Sequence, residues 1–193
     1  MSSPALSSLR EATRTLHVDL ESRLALGRPD AGRAEYRAYA AAMIGWLEPL
    51  EARLWAAPWP DGVAPEARRD KARWLVEDLA ALGVDAAQVA RLPRATALPP
   101  LATEAERFGV AYVIEGSQLG GHVLARRLAG ALAPHEVRYL RGYGEALGER
   151  WRALLGAMAA SVTGGGALAR AADAAVATFE GLGRWFEARE VLR

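Results

Sequence analysis

The 193-residue sequence has no cysteine, a single lysine, no sustained strand pattern and no long apolar run. Without cysteine there is no disulfide staple, and at this length none is needed to hold a core, so one domain over residues 1–193 is expected. Hydrophobic residues make up 51% of the chain, yet nowhere do about 18 run together, which excludes an ordinary membrane-spanning helix. An excess of one charge is also missing. The 24 Lys and Arg side chains face 23 Asp and Glu, a formal net charge of +1, so neither nucleic acid nor a membrane surface is an expected partner. The opening MSSPALSSLREATR lacks the basic start and apolar stretch of a secretory signal. With the missing cysteine, this favours a soluble, cytoplasmic protein. Lys71 is the only lysine, and the arginine bias that leaves it so carries no functional reading of its own.

What is present is helical. Alanine, leucine, arginine and glutamate fill most windows at helical spacing, so the fold class is all-α. A first helix is expected from about Leu6 to Leu26, with Leu9, Leu16, Leu20 and Leu24 on one stripe and Gly27 with Pro29 ending it. Asp30 is expected to cap a second helix, which reaches about Ala57 with a kink at Pro49, before the loop WAAPWPDGVAP. A third spans about Pro65 to Leu82 and closes at Gly83. A short turn of helix follows around Asp85 to Arg91, then the irregular PRATALPP. Thr103 with Glu106 forms a capping box that opens a helix to about Ala129, stopped by Gly130. Pro134 suits the first turn of the next helix, to about Val162, and after TGGG a last helix runs from about Ala167 to Leu192.

Two places carry chemistry. On the first helix, His17 lies roughly 80° from Leu9 at about 100° per residue, at the margin of the apolar stripe. Arg10, Arg14 and Glu21 share its side. That layout suits a flat dianionic ligand: the imidazole can bind iron through one nitrogen while Glu21 orients the other, and the arginines can meet carboxylates at the ligand edge. The plainer alternative is a solvated boundary histidine. The second place is YVIEGSQLGGHVLARRL, where Gly116, Gly120 and Gly121 interrupt a helical pattern at a cost of roughly 0.5 to 1 kcal/mol each relative to alanine. Gly116 and Gly120 are one turn apart, so one face is bare backbone that a planar ligand can approach. Ser117 and Gln118 bring a hydroxyl and an amide able to hold water. Close helix packing is the alternative explanation for these glycines.

Together, LREATRTLHVDLE and YVIEGSQLGG resemble the proximal and distal helices of the haem oxygenase family, specifically its soluble bacterial, biliverdin-producing branch, and the resemblance covers nearly the whole chain. It implies a single-domain helical fold with haem between the two helices, as both cofactor and substrate. It implies that His17 is the axial iron ligand with Glu21 beside it, and that Gly116, Ser117, Gly120 and Gly121 form the catalytic distal face. It further implies haem contacts from Arg10, Thr13, Arg14 and Tyr112, and a basic residue from the C-terminal half, for which Arg152 is the first candidate and Arg150 the second. Ser117 departs from the aspartate of many eukaryotic relatives; a hydroxyl binds water but supplies no charge. His122 is a conceivable second iron ligand, against which stands the need for an open site for oxygen, and His135 reads as a surface residue.

The activity so implied is oxidative cleavage of haem to biliverdin, carbon monoxide and ferrous iron, using oxygen and electrons from a donor such as a ferredoxin or flavin reductase. A phytochrome is a possible receiver of the biliverdin. Two other functions fit the same residues: a protein of this fold that stores, carries or senses haem without degrading it, and a helical interaction module that binds no haem.

Overall fold

The computed structural model describes residues 3–193 and is all-α, built from α1 (Pro4–Arg23), α2 (Arg33–Leu54), α3 (Lys71–Ala81), α4 (Ala86–Arg91), α5 (Glu104–Leu132), α6 (Arg138–Arg141), α7 (Leu147–Ser161) and α8 (Gly165–Glu187). Single 3-10 turns occur at Ala25–Gly27, Pro65–Ala67 and Gly144–Ala146. No helix among the described residues is long and apolar enough to cross a membrane.

The last helix organises the others. Ala171, Ala174, Ala175, Thr178, Leu182 and Phe186 recur every three or four residues on α8 and are all buried. Both α1 and α5 pack extensively on α8, but they make little contact with each other. At the α5 crossing Gly109 lies so close to α8 that a side-chain carbon there would collide with the Ala171 carbonyl oxygen. A gap between α1 and α5, floored by α8, follows from this arrangement. Elsewhere α2 packs against α3, α6 and α7 pack against α5, and α7 also touches α1. Asp78 joins three of these elements: its carboxylate accepts from the Tyr36 hydroxyl on α2 and from the Arg138 and Tyr139 backbone N–H groups of α6, the last two at 2.6 and 2.9 Å.

Several helix ends differ from expectation, each for a local reason. Asp30 does not cap α2; it pairs with Arg28 at 2.6 Å, and the cap is Gly32, whose N–H donates to Glu35 at 2.8 Å. Pro49 lies inside α2, which ends at Leu54. Gly130 does not stop α5, which continues to Leu132. Pro134 starts no helix: the expected stretch to Val162 is broken at Gly142 and Gly144, whose φ of +53° and +57° side chains would resist. The first helix stops at Arg23 because Leu24 turns to pair with Leu192 in an isolated antiparallel bridge. The Thr103–Glu106 capping box forms as read.

Candidate functional site

Burial of Leu6 and Leu9 against the core fixes the rotation of α1. His17 comes out at the margin of that buried stripe, with 53% of its side chain exposed and its Nδ1 3.4 Å from Glu21 Oε2, one turn on. A carboxylate at Nδ1 favours the tautomer with its proton on that nitrogen, which leaves the Nε2 lone pair for a metal. Phe179 of α8 stands edge-on to the imidazole, ring centroids 5.8 Å apart, and limits its tilt. Across the gap, a side-chain carbon on Gly120 would lie 3.8 Å from Glu21 Oε1. The His17 face of α1 and the bare face of α5 therefore look at each other, with the Glu21 carboxylate reaching across.

The other glycines divide. Gly116 is open on its outer side except for the ring of Trp151 on α7, whose nearest atom is 3.5 Å from where a side-chain carbon would stand. Gly121 faces elsewhere: a side-chain carbon there would come within 3.2 Å of the Leu140 carbonyl oxygen of α6. Its missing side chain serves helix packing, the alternative that the sequence left open, and Gly121 is not part of the face that meets α1.

Around this gap the remaining residues fall into place unevenly. Tyr112, half-buried one turn before Gly116, packs on Trp151 with centroids 5.7 Å apart. Ser117 is exposed and its hydroxyl donates to the Ile114 carbonyl at 2.7 Å. Arg10 and Arg14 are exposed on the His17 side of α1; Arg14 pairs with Glu11 at 3.1 Å, whereas Arg10 forms no ion pair among the described residues. Thr13 is buried and its hydroxyl is used on the Leu9 carbonyl at 2.7 Å, so it supports α1 from beneath and does not line the gap. Arg152 is exposed next to Trp151, with only Nε engaged, on Gly148 O at 3.2 Å. Arg150 is occupied: it bonds the Ala67 carbonyl and lies over the Tyr143 ring at 4.5 Å. Two residues after Gly120, and so on the other side of α5, His122 and also His135 line a separate cavity of about 390 Å³ with Arg126 and Arg141.

Three features escaped the sequence. Phe179 and Trp151 reach the gap from helices distant in the chain. Arg127 closes one end, donating from α5 to the Leu26 and Arg28 carbonyls at 3.2 and 3.1 Å. Beneath α5 lies a fully buried ionic cluster. The Glu115 carboxylate meets Arg68 at 2.6 Å, Lys71 at 2.7 Å and the Tyr143 hydroxyl at 3.1 Å, and Lys71 also meets Glu51 at 3.3 Å. Burial opposes the charge on Lys71, yet Glu115, Tyr143 and Glu51 hold it above its ordinary pKa; burial pushes the Glu51 carboxyl up.

The residues present fit a haem. The His17 imidazole lies on the side of α1 that meets a backbone surface without side chains, and the three large apolar side chains left exposed among the described residues, Val18, Leu119 and Val123, all belong to α1 and α5. An apolar planar ligand between the two helices would suit such side chains.

An all-α fold that presents a histidine opposite a glycine face defines a helical haem-binding class. The sequence pattern of the family described as "Heme oxygenase" matches residues 3–188, and the chain belongs to that family. A protein named "Heme oxygenase" from Xanthomonas campestris pv. campestris (strain 8004) is 55% identical over 56 residues, a stretch that spans 28% of each chain.

Proposed function

We propose that the protein is a haem oxygenase, one domain over residues 1–193 that converts haem to biliverdin, carbon monoxide and ferrous iron with oxygen and external electrons. The observation that carries this reading is the opposition of the His17–Glu21 pair to Gly120 across the gap between α1 and α5. A carrier needs only the imidazole. An α5 stripped of side chains where it meets the gap leaves room for a small reactant on the second face of the ring, which a carrier has no need to keep.

Haem, when bound, supplies the redox-active iron and the ring carbons that are oxidised. The chain's own residues do the rest. His17 would bind the iron through Nε2 while Glu21, beside Nδ1, orients the ring and makes it a stronger donor. Since the Glu21 carboxylate now spans the gap, it has to swing away from Gly120 as a ring enters. Arg10, Arg14 and Arg152 are the exposed cations at its edge, suited to carboxylates. Val18, Leu119 and Val123 exclude water. The Ser117 hydroxyl, able to release the Ile114 carbonyl, orients water on the α5 side and passes protons without adding charge.

We place the protein in the cytoplasm, with a ferredoxin or flavin reductase as electron donor and a phytochrome as receiver of the product. Aerobic incubation of the haem-loaded protein with a reductant tests the reading: biliverdin and carbon monoxide are expected, and a haem spectrum that persists would leave a non-degrading haem carrier instead.

A further inference from the structure

We infer that Arg68, acting through Trp151, sets the end wall of the cleft between α1 and α5 and so selects how a porphyrin seats within its own plane. The inference deepens the reading above and rests on it. Arg68 is 2% exposed, and each arm of its guanidinium has a different partner. Nη1 donates to Glu115 Oε2 at 2.6 Å, Nη2 to the Arg150 carbonyl at 2.8 Å and Nε to the Val63 carbonyl at 2.6 Å. Glu115 immediately precedes Gly116 on α5, and Arg150 immediately precedes Trp151 on α7. Gly116 and Trp151 are the pair in contact at the cleft, the indole 3.5 Å from where a side-chain carbon of Gly116 would stand. One buried fork thus holds the residue before each member of the pair, and its planar geometry fixes their separation.

Stability alone is a poor reason for such a cluster, since a buried ion pair is often no better than apolar residues of the same volume. Here the ions fix an alignment. Lys71 holds the second Glu115 oxygen at 2.7 Å, and Arg150 returns a bond to the Ala67 carbonyl, so the 63–71 segment is fastened to both helices. Trp151 is only half-buried and packs with its ring tilted on Tyr112, 5.7 Å away, which makes an aromatic wall beside the glycine face. A ring that enters between α1 and α5 stops against this wall. Its position decides which edge of the ring lies beneath Gly116 and Gly120, where oxidation takes place.

The test uses the full-length protein and two readouts: the haem-methyl proton resonances of the ferric, cyanide-inhibited complex, which report seating without turnover, and the biliverdin isomer released. Trp151→Ala is expected to add a second set of methyl resonances and a second isomer while the absorption bands of imidazole ligation stay. Arg68→Lys, which keeps the charge but cannot fork, is expected to shift both readouts the same way, and to add nothing in the Trp151→Ala background. An unchanged single set and single isomer in Trp151→Ala overturns the inference while leaving the oxygenase reading intact. A shift by Arg68→Lys that persists without Trp151 overturns the role of Arg68. Failure of the parent protein to bind haem through His17 overturns both readings. Trp151→Phe keeps the test decisive if Arg68→Lys does not fold, because the smaller ring retreats from Gly116 without disturbing the cluster.

Discussion

Glu21 of α1 and Gly120 of α5 approach to 3.8 Å, measured from the carboxylate oxygen to the place where a side-chain carbon of Gly120 would stand. The same carboxylate lies 3.4 Å from the His17 imidazole, so one side chain both orients the ligand histidine and reaches the opposite wall. Glu21→Ala is accordingly expected to weaken haem uptake by roughly 10- to 100-fold, the usual cost of losing a metal ligand's orienting partner. Titration of the apoprotein with haem measures it; an unchanged affinity would mean that Glu21 does not orient His17.

Gly120 and Gly121 should separate in behaviour although they are neighbours. A methyl group at Gly120 meets only ordinary contact distances, so Gly120→Ala is expected to raise the stability of the apoprotein by about 0.5 to 1 kcal/mol through helix propensity and to impair turnover. At Gly121 the added carbon comes within 3.2 Å of the Leu140 carbonyl, and Gly121→Ala should cost roughly 1 to 3 kcal/mol through overpacking. Denaturant unfolding of both variants, beside product assays, checks the pair. Equal destabilisation would contradict the division of roles.

Arg10 at the cleft is expected to act on ligand affinity, and the Arg150 side chain, turned away from it, on stability. Arg10→Ala removes an exposed charge and should weaken haem binding by about 0.2 to 1 kcal/mol, as for other exposed pairs, with no change in melting temperature. Arg150→Ala loses the bond to the Ala67 carbonyl and the cover over Tyr143, and should lower the melting temperature while haem affinity stays. Reversal of these two outcomes would exchange the roles assigned to the residues.

Much of this was legible in the sequence, and the limit is physical. His17, Arg10, Arg14 and Glu21 stand at helical spacing on one element, and the Gly116–Gly120 face needs only the same periodicity, so local rules find them. Gly121 reads like its neighbours because spacing does not reveal which helix, α6, lies against it. Trp151, Phe179 and Arg127 reach the site through the packing of elements far apart in the chain. Lys71 reads as a compositional leftover, since nothing local distinguishes a buried lysine from an exposed one. The helix expected from Pro134 to Val162 failed because its glycines at 142 and 144 adopt positive φ, which helical spacing alone does not signal.

The buried cluster carries a pH signature. Burial raises the Glu51 carboxyl above its ordinary 4.5 despite the attraction of Lys71 and the bonds it accepts. The folded state therefore binds this proton more tightly than the unfolded state. Its contribution is fully present below about 4.5 and is lost as pH rises through the folded value. Glu51→Gln does not titrate, so its stability relative to the parent is expected to improve as pH is raised from the acid side towards neutrality. Urea unfolding across that range decides it, and a relative stability that falls with pH would show that the pairing with Lys71 outweighs burial.

The central claim is that His17 faces a haem held between α1 and α5. Resonance Raman spectroscopy of the reduced haem complex tests it most directly. The account predicts an iron–imidazole stretching band in the parent protein that vanishes in His17→Ala and returns when free imidazole is added. A band that survives in His17→Ala would place the ligand elsewhere and contradict it.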